Sequence, residues 1–202
     1  MISILNYGLG NIGSLLNMAK YLGFNAEVIS NAEELKNSSK IILPGVGSYD
    51  EAVKSIDSIP GLREVLNSKV LKDQVPILGI CLGMQLLTRG SEEGALSGFG
   101  WIEADTVLLP PFPSIKVPHM GWNSVNTTKS NSLTRDLPLD QRYYFAHSYY
   151  VKCDDMKNVH FLSKYGIEFA SGISSDNIYG VQFHPEKSHR FGMKLLSNFA
   201  QL

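Results

Sequence analysis

Short apolar segments alternate with amphipathic helical patterns in the first half of the chain. Strands are predicted at Ile2–Leu5, Ala26–Ile29, Lys40–Leu43 and Val75–Ile80. Helices are predicted between them at Ile12–Leu22, Asn31–Leu35, Asp50–Ile56 and Leu62–Leu71. Parallel strands need long crossover connections, usually helices, so this β-α-β-α order indicates a parallel sheet with helices on both faces.

The second half of the chain has a different character. From Trp101 to Val125 and from Tyr143 to Phe183, β-branched and aromatic residues are frequent between Gly, Pro and Asn, which predicts further strands and long loops. A last helix is predicted at Phe191–Leu202. The expected fold is therefore α/β, an open and mostly parallel sheet with helices on both faces and additional antiparallel strands in the C-terminal half. At 202 residues it fits one domain, residues 1–202.

Composition argues against several classes of function. A net charge of -1 leaves no electrostatic footprint for nucleic acid. The longest apolar stretch, Pro76–Met84, is too short to span a bilayer, so we expect a cytoplasmic protein with no membrane partner. The two cysteines, Cys81 and Cys153, form no C-x-x-C pair, which argues against a disulfide or a zinc site.

The stretch Pro76-Ile-Leu-Gly-Ile-Cys-Leu-Gly-Met-Gln-Leu-Leu87 predicts a strand that turns directly into a helix at Cys81. Gly79 and Gly83 remove side chains that would crowd this turn, as in a nucleophile elbow. The turn raises the sulfur above the sheet at a helix N-terminus, where the partial positive charge favours a thiolate. The N–H of Leu82 is then available to a developing oxyanion, although a buried structural cysteine remains the alternative.

The stretch Tyr179-Gly-Val-Gln-Phe-His-Pro-Glu-Lys187 supplies a base for this cysteine. His184 is expected at the end of a strand, Pro185 should stop any helical continuation, and Glu186 can orient the imidazole. The pattern predicts a Cys-His-Glu triad. A structural histidine and a metal site that includes His189 are the alternatives, but Pro185 breaks the helix that an H-E-x-x-H site needs. No metal or cofactor is expected.

These motifs together resemble the class I, or triad-type, glutamine amidotransferases. Gly79-Ile-Cys-Leu-Gly-Met-Gln85 is similar to their nucleophile motif, Phe183-His-Pro-Glu186 to their His-Glu motif, and Pro44-Gly45-Val46-Gly47 to their oxyanion loop. The resemblance extends from one end of the chain to the other. The last of these motifs is weak evidence alone, because Pro-Gly commonly marks an ordinary turn.

The resemblance implies roles for individual residues. The catalytic residues would be Cys81, His184 and Glu186. The oxyanion would be surrounded by the backbones of Val46, Gly47 and Leu82. Glutamine would be held by Gln85, Glu93, His147, Ser148 and Tyr149. Taken singly, each of these glutamine-binding residues has an ordinary structural explanation, such as a solvated loop for Glu93.

Within the class, Asn6–Asn11, Pro118–Asn123, His147–Tyr149 and His184–Ser188 resemble a group of glutaminase subunits that act in histidine biosynthesis. The resemblance implies a heterodimer with a cyclase, which is a (β/α)8 barrel that uses the ammonia. The expected partner interface consists of Tyr7, Gly8, Leu9, Gly10, Asn11, Trp122, Tyr144 and Lys187. Because the amidotransferase elements use the whole chain, we expect the acceptor chemistry in another polypeptide.

The glycines near the start of the chain also fit a dinucleotide-binding pattern. Gly8, Gly10 and Gly13 have the G-x-G-x-x-G spacing. A dinucleotide site needs an acid near the end of the second strand, but that strand ends at Ile29 and the nearest acid, Glu27, lies within it. A loop that faces a partner protein is therefore the favoured interpretation.

Three other functions stay open at the level of sequence. The ending Ser188–Phe199 also resembles paralogues that supply ammonia to a cyclase-like partner in the synthesis of surface-polysaccharide sugars. A silent regulatory module would keep the fold with an unreactive Cys81. A stand-alone cysteine hydrolase would act without a partner and would give Pro118–Asn123 no role.

Overall fold

The computed structural model describes residues 1–111 and 115–202. Its first strands are β1 (Ile2–Leu5), β2 (Ala26–Ile29), β3 (Ile41–Leu43) and β4 (Ile77–Ile80). The helices of this half are α1 (Ile12–Tyr21), α2 (Ala32–Lys36), α3 (Tyr49–Ser58), α4 (Leu62–Asn67), which continues into a π-helical turn (Ser68–Lys72), and α5 (Leu82–Leu86). The predicted alternation of strands and helices is confirmed.

The second half of the chain is mainly antiparallel. Its strands are β5 (Ala104–Leu108), β6 (His119–Ser124), β7 (Asn126–Thr127), β8 (Arg142–His147), β9 (Tyr149–Cys153), β10 (Val159–Tyr165), β11 (Ile167–Ser175) and β12 (Ile178–Val181). Two short 3-10 turns, Met156–Asn158 and Pro185–Lys187, and helix α6 (His189–Ala200) complete it. Residues 112–114 of the predicted stretch Trp101–Val125 lie outside the described residues.

One large mixed sheet organises the molecule. Its parallel part has the order β2-β1-β3-β4-β12, which is the flavodoxin-like order, and β11, β10 and β7 extend it in antiparallel fashion. Strands β9 and β5 branch from β11, while β6 and β8 form a separate two-stranded sheet. The predicted fold class is confirmed.

The core lies on both faces of the parallel strands. Along β1, Ile4 packs in a cluster with Leu15 of α1 and Leu195 of α6. The next residue, Leu5, belongs to the opposite cluster with Leu35 of α2. Successive strand residues point to opposite faces, so a strand that is apolar at both positions must be covered by helices on both sides.

The turn at Cys81 brings α5 unusually close to β3. Cys81 has φ 54° and ψ −108°, a backbone conformation that a non-glycine residue rarely adopts. A Cβ on Gly83 would lie 1.9 Å from the Leu43 carbonyl oxygen, and one on Gly79 would lie 2.6 Å from the Gly83 carbonyl oxygen. The two glycines therefore permit the turn, as the sequence predicted.

Three loops meet at the carboxyl edge of the parallel strands. The Tyr7 hydroxyl, after β1, donates a hydrogen bond to the Pro44 carbonyl oxygen, after β3, at 2.6 Å. Gly10 also lies against Pro44, and a Cβ on Gly45 would lie 2.8 Å from the Gly83 nitrogen. Ligands bind at this edge in open sheets of this kind, so the search for a site begins here.

We predict that Gly83→Ala lowers the free energy of unfolding by about 3 kcal/mol, because the added methyl group overlaps the Leu43 carbonyl. Urea unfolding monitored by circular dichroism measures the change. Gly13→Ala in α1 is the matched control, since a Cβ there meets nothing within 4 Å and a helical alanine should stabilise by about 0.5 kcal/mol. Equal stability of the two variants would contradict this account of the turn.

Candidate active site

A pocket of about 260 Å³ opens at the carboxyl edge. It is lined by most of the predicted site residues: Val46, Gly47, Cys81, Leu82, Gln85, Glu93, His147, Ser148, Tyr149 and His184. Pro118 and Met120 of the motif Pro118–Asn123 also line it, as does Ala146, which was not singled out from the sequence. Residues from widely separated parts of the chain thus share one concave surface, which is typical of a ligand site.

Cys81 lies at the floor of this pocket. Its N–H donates to the Val181 carbonyl oxygen at 2.8 Å, which continues the β4–β12 ladder by one residue. The residue is only 7% exposed, and its sulfur lies 3.8 Å from the Ala146 carbonyl oxygen. Leu82 is the first residue of α5, so its N–H has no acceptor within the helix.

The backbone of the predicted oxyanion loop lies beside the cysteine. Val46 and Gly47 line the same pocket as Cys81. Gly47 has φ 126°, which glycine adopts far more readily than other residues. The neighbouring Gly45 packs against Leu82 and Gly83, so the loop and the elbow are held at a fixed separation.

His184 lies beyond the end of β12 and not on the strand. The strand ends at Val181, and the His184 N–H donates to the Tyr144 carbonyl oxygen of β8 at 2.8 Å. The Ser188 hydroxyl donates to the His184 carbonyl oxygen at 2.5 Å. Pro185 does not simply end regular structure: it begins a 3-10 turn, because proline is favoured at the first position of a helix.

Glu186 fixes the orientation of the His184 ring. Nδ1 of His184 and Oε1 of Glu186 are 2.9 Å apart, and the side chains are only 3% and 2% exposed. With Nδ1 bonded to the carboxylate, Nε2 is the ring nitrogen available for proton transfer. Burial lowers the pKa of His184, but the adjacent Cys81 and Glu186 side chains outweigh burial and raise the pKa to about 10.

Glu93 lies on an exposed loop, and it also lines the pocket. Its Oε2 accepts a hydrogen bond from the Tyr49 N–H at 3.2 Å, and burial raises the pKa of the carboxyl group. The loop is fastened by Asp50, whose Oδ1 accepts from the N–H groups of Ala95 and Leu96 at 3.0 Å each. These two backbone hydrogen bonds lower the pKa of Asp50. These hydrogen bonds to Asp50, which we call the Asp50 clamp, hold the loop so that Glu93 lines the pocket.

The segment 147–149 is held from below by Gln85. The Gln85 side chain is buried, and its Nε2 donates to the Tyr149 carbonyl oxygen at 3.2 Å. The Ser148 carbonyl oxygen accepts from the Leu109 N–H at 2.9 Å. Gln85 therefore connects the elbow helix to the opposite wall of the pocket.

Sequence reasoning missed a buried histidine pair behind this segment. His147 Nδ1 donates to the Tyr149 carbonyl oxygen at 2.8 Å, so in the neutral ring its Nε2 accepts from His119 Nδ1 at 2.9 Å. His119 Nε2 then accepts from Asn123 Nδ2 at 3.3 Å. His119 also stacks on Phe145. The β6–β8 register places the two histidines opposite each other, and no local sequence pattern reports such a pairing.

Both histidines of this pair are held neutral. Burial lowers the pKa of His119 to about 4. Burial also lowers the pKa of His147, to about 3, because it outweighs the opposite effect of the hydrogen bond to the Tyr149 carbonyl. The pair therefore acts as a set of directed hydrogen bonds at neutral pH and not as a proton carrier.

The expected interface residues fall into two groups beside the pocket. Gly8, Leu9, Gly10 and Asn11 form the loop after β1, where a Cβ on Gly47 would lie 3.6 Å from Leu9 Cδ2. The side chain of Tyr7 is only 3% exposed, and burial raises its pKa. Its hydroxyl donates to the Pro44 carbonyl oxygen of the predicted oxyanion loop, and a place for Tyr7 in a partner interface stays a prediction.

The second group lies on the two-stranded sheet. Trp122 of β6 is paired with Tyr144 of β8 and is 40% exposed. Lys187 Nζ lies 5.6 Å from the centre of the Tyr144 ring and also lines the pocket. Exposed Met120 lies on the same strand as Trp122. The structure thus brings the predicted aromatic and basic residues together at the pocket mouth.

Neither a metal-binding cluster nor a membrane-spanning helix is present in the part of the chain that the structure describes. Residues 1–111 and 115–202 contain no group of three or more His, Cys, Asp or Glu side chains suited to a metal ion. Within the same ranges, no helix has the length and apolarity to cross a membrane. The cytoplasmic location expected from the sequence stays a prediction.

Comparison with known proteins identifies the class to which this chain belongs. The family model for class I glutamine amidotransferases matches residues 3–202, and the chain belongs to that family. It is 51% identical over 199 residues to imidazole glycerol phosphate synthase subunit HisH 2 of Methanococcus maripaludis, with 98% of each chain covered. It is 45% identical to subunit HisH of Leptospira borgpetersenii over the full length of both chains.

A solved structure shows the same fold at low sequence identity. The crystal structure of a glutamine amidotransferase from Thermotoga maritima superimposes with a TM-score of 0.65 at 19% identity. The match covers 99% of this chain and 82% of that chain. At this identity the likeness concerns the fold alone.

We predict that the free energy of unfolding falls as the pH drops below 6.5, because His119 and His147 bind protons in the unfolded chain but not when they are buried in the folded protein. Each histidine should lower the free energy of unfolding by about 2 kcal/mol between pH 7.5 and pH 5. Urea unfolding at a series of pH values measures how steeply the free energy depends on pH. His119→Gln should make this dependence less steep, whereas an unchanged dependence in that variant would contradict a neutral His119.

Proposed function

We propose that this protein is the glutaminase subunit of an imidazole glycerol phosphate synthase. It hydrolyses glutamine to glutamate and ammonia and passes the ammonia to a separate cyclase subunit in histidine biosynthesis. The observation that carries the proposal is that His184, which is paired with buried Glu186, lines the same pocket as Cys81 in its strained turn. Identity of 51% and 45% to HisH subunits supports the choice of pathway.

In the first half of the reaction, Cys81 is the nucleophile. Its thiolate sulfur attacks the side-chain carboxamide carbon of glutamine, and the carbonyl electrons move to the oxygen. The N–H groups of Val46, Gly47 and Leu82 stabilise that oxyanion. His184 Nε2 gives its proton to the amide nitrogen, so ammonia leaves and a thioester to Cys81 remains.

In the second half, water hydrolyses the thioester. His184 Nε2 takes a proton from the water as its oxygen attacks the thioester carbon, and the same N–H groups stabilise the second oxyanion. The C–S bond then breaks, which releases glutamate and regenerates the Cys81 thiolate. The Glu186 carboxylate stabilises the His184 imidazolium, which gives up its proton in the first half and forms again in the second.

Glu93 is the proposed counter-charge for the ammonium group of glutamine. It lines the pocket together with Gln85 and the segment 147–149, which form the rest of the proposed glutamine site. Burial raises the pKa of Glu93. A bound ammonium group lowers it again, so substrate binding and ionisation of Glu93 favour each other.

The cyclase subunit is proposed to dock over the pocket mouth. The loop Gly8–Asn11 lies beside the oxyanion loop on one side, and Trp122, Tyr144 and Lys187 lie on the other. Ammonia released into neutral water becomes mostly unreactive ammonium. A (β/α)8 barrel seated on both groups would receive it directly, in a heterodimer.

A second acceptor pathway remains a candidate. The relatives at 51% and 42% identity, from Methanococcus maripaludis and Pseudomonas aeruginosa, are both named HisH 2. The number 2 in both names is consistent with a second copy of this subunit in those organisms. It supports the paralogue interpretation, in which the same glutaminase supplies ammonia to a cyclase-like partner in surface-polysaccharide synthesis. The two pathways share every step at Cys81 and differ only in the partner.

We predict that glutamate release is low for the protein alone and rises at least tenfold, on the order of ordinary allosteric coupling, with a histidine-pathway cyclase plus its nucleotide ligand. Coupled glutamate dehydrogenase measures the rate. Cys81→Ala should abolish it, because no nucleophile remains. Cys153→Ala is the matched control, since this half-buried cysteine lies outside the pocket, and it should keep full activity.

The outcomes separate the candidate functions. Full activity without a partner would contradict the coupling and favour a stand-alone hydrolase. Stimulation only by the polysaccharide-pathway partner would keep the glutaminase and replace the pathway. No activity with either partner would favour a silent regulatory module.

We also predict that Glu186→Gln lowers kcat by on the order of 100-fold with a smaller change in KM. The neutral amide no longer stabilises the His184 imidazolium, although it fills the same space. Steady-state glutaminase kinetics of the complex with the cyclase measure the effect. Glu33→Gln on the surface of α2, 81% exposed, is the control. Equal kcat values in the two variants would rule out the role given to Glu186.

A further inference from the structure

A buried amide group lies beneath the cysteine sulfur and is used by none of the steps above. Gln182 follows β12 directly and is fully buried, with 0% exposure. Its side-chain Nε2 lies 3.7 Å from Cys81 Sγ, within hydrogen-bonding distance for sulfur. Its backbone N–H donates to the Ser171 carbonyl oxygen at 3.0 Å, which fixes the residue against β11.

The orientation of this amide follows from its neighbours. The Tyr149 carbonyl oxygen can only accept, so the Gln85 group that faces it at 3.2 Å must be the donor Nε2. The same Nε2 lies 3.3 Å from Gln182 Oε1. Turning the Gln182 amide over would place two NH2 groups against each other. Oε1 therefore faces Gln85 and Nε2 faces the sulfur.

The strength of the hydrogen bond that Gln182 Nε2 can donate depends on whether Cys81 is a thiol or a thiolate. Among the described residues, the sulfur is its only acceptor within hydrogen-bonding distance. A neutral thiol accepts weakly, whereas hydrogen bonds to an ionised acceptor are much stronger. A buried donor without a good partner is costly, so the amide gains most when Cys81 is a thiolate.

We propose that Gln182 is a positioning residue that donates an N–H to the Cys81 sulfur, stabilising the thiolate and fixing its direction of attack. This role rests on the proposed function and deepens it. No proton moves from the amide, so Gln182 differs from His184. Through Gln85, the same chain of hydrogen bonds reaches the Tyr149 carbonyl oxygen in the proposed glutamine site.

The test measures Cys81 reactivity without glutamine. Alkylation of the purified protein by iodoacetamide is followed across pH, with Cys81 and Cys153 resolved by peptide mass spectrometry. Because the thiolate is the reactive form, Gln182→Met should slow alkylation of Cys81 about fivefold at pH 7 and move the midpoint of the pH profile upward. Gln182→Glu should slow it further, because a carboxylate there repels the thiolate.

Gln141→Met is the matched control. Gln141 is also a buried glutamine, but its Nε2 donates to Thr127 Oγ1 and it does not line the pocket. The pH profile of Cys81 alkylation in Gln141→Met should equal that of the wild type. A Gln182→Met profile with an unchanged midpoint overturns the proposal, whatever happens to the overall rate, because a purely structural role would not move the midpoint selectively.

Two further readouts complete the test. Gln182→Met should lower kcat for glutamine about tenfold and leave KM within about twofold, as expected for a group that acts on the nucleophile. If a variant does not fold, the side-chain amide signals of Gln182 in the wild type are followed by NMR. The chemical shifts of these signals should change with pH, and the midpoint of that change should match the midpoint of Cys81 alkylation. Chemical shifts that do not depend on pH would overturn the proposal. Because alkylation needs no glutaminase activity, its result is independent of the proposed function.

Discussion

The parallel ladder between β4 and β12 is the contact on which the proposed site depends. Ile80 lies opposite Val181, and the ladder ends with the hydrogen bond from the Cys81 N–H to the Val181 carbonyl oxygen at 2.8 Å. Because the strands are adjacent and parallel, the residues that follow them leave the sheet at the same edge. This brings Cys81 beside Gln182 and His184. A slip of one residue would turn these side chains to the opposite face.

Burial lowers the pKa of all three histidines in and behind the pocket, but the net shifts are opposite because their neighbours differ. His184 faces a sulfur and a carboxylate, which raise its pKa to about 10 in spite of burial. His119 and His147 face aromatic rings and each other, and burial lowers their pKa values to about 4 and 3. One imidazole is therefore suited to carry a proton in the proposed reaction. The other two hold the segment 147–149 in place.

Much of the fold and part of the site could be predicted from the sequence. The strands of the first half are right within two residues, because apolar runs and turn residues are local signals. The pocket unites Cys81 and His184, as the motifs indicated. The burial of the Tyr7 side chain could not be predicted, because the Pro44 carbonyl oxygen that accepts its hydrogen bond lies on another loop. His119 was missed because its partner comes from another strand.

The sequence by itself determined the alternation of strands and helices and the sharp turn at Cys81. Both follow from interactions between near neighbours, namely side-chain periodicity and the steric room that Gly79 and Gly83 leave. Only the tertiary structure decided that the Gln182 amide meets the sulfur, through the pairing of β4 with β12. It also decided that Glu93 reaches the pocket, because Asp50 holds the loop that carries it. The physical reason is that strand order and loop closure depend on contacts between residues far apart in the chain, which local patterns do not encode.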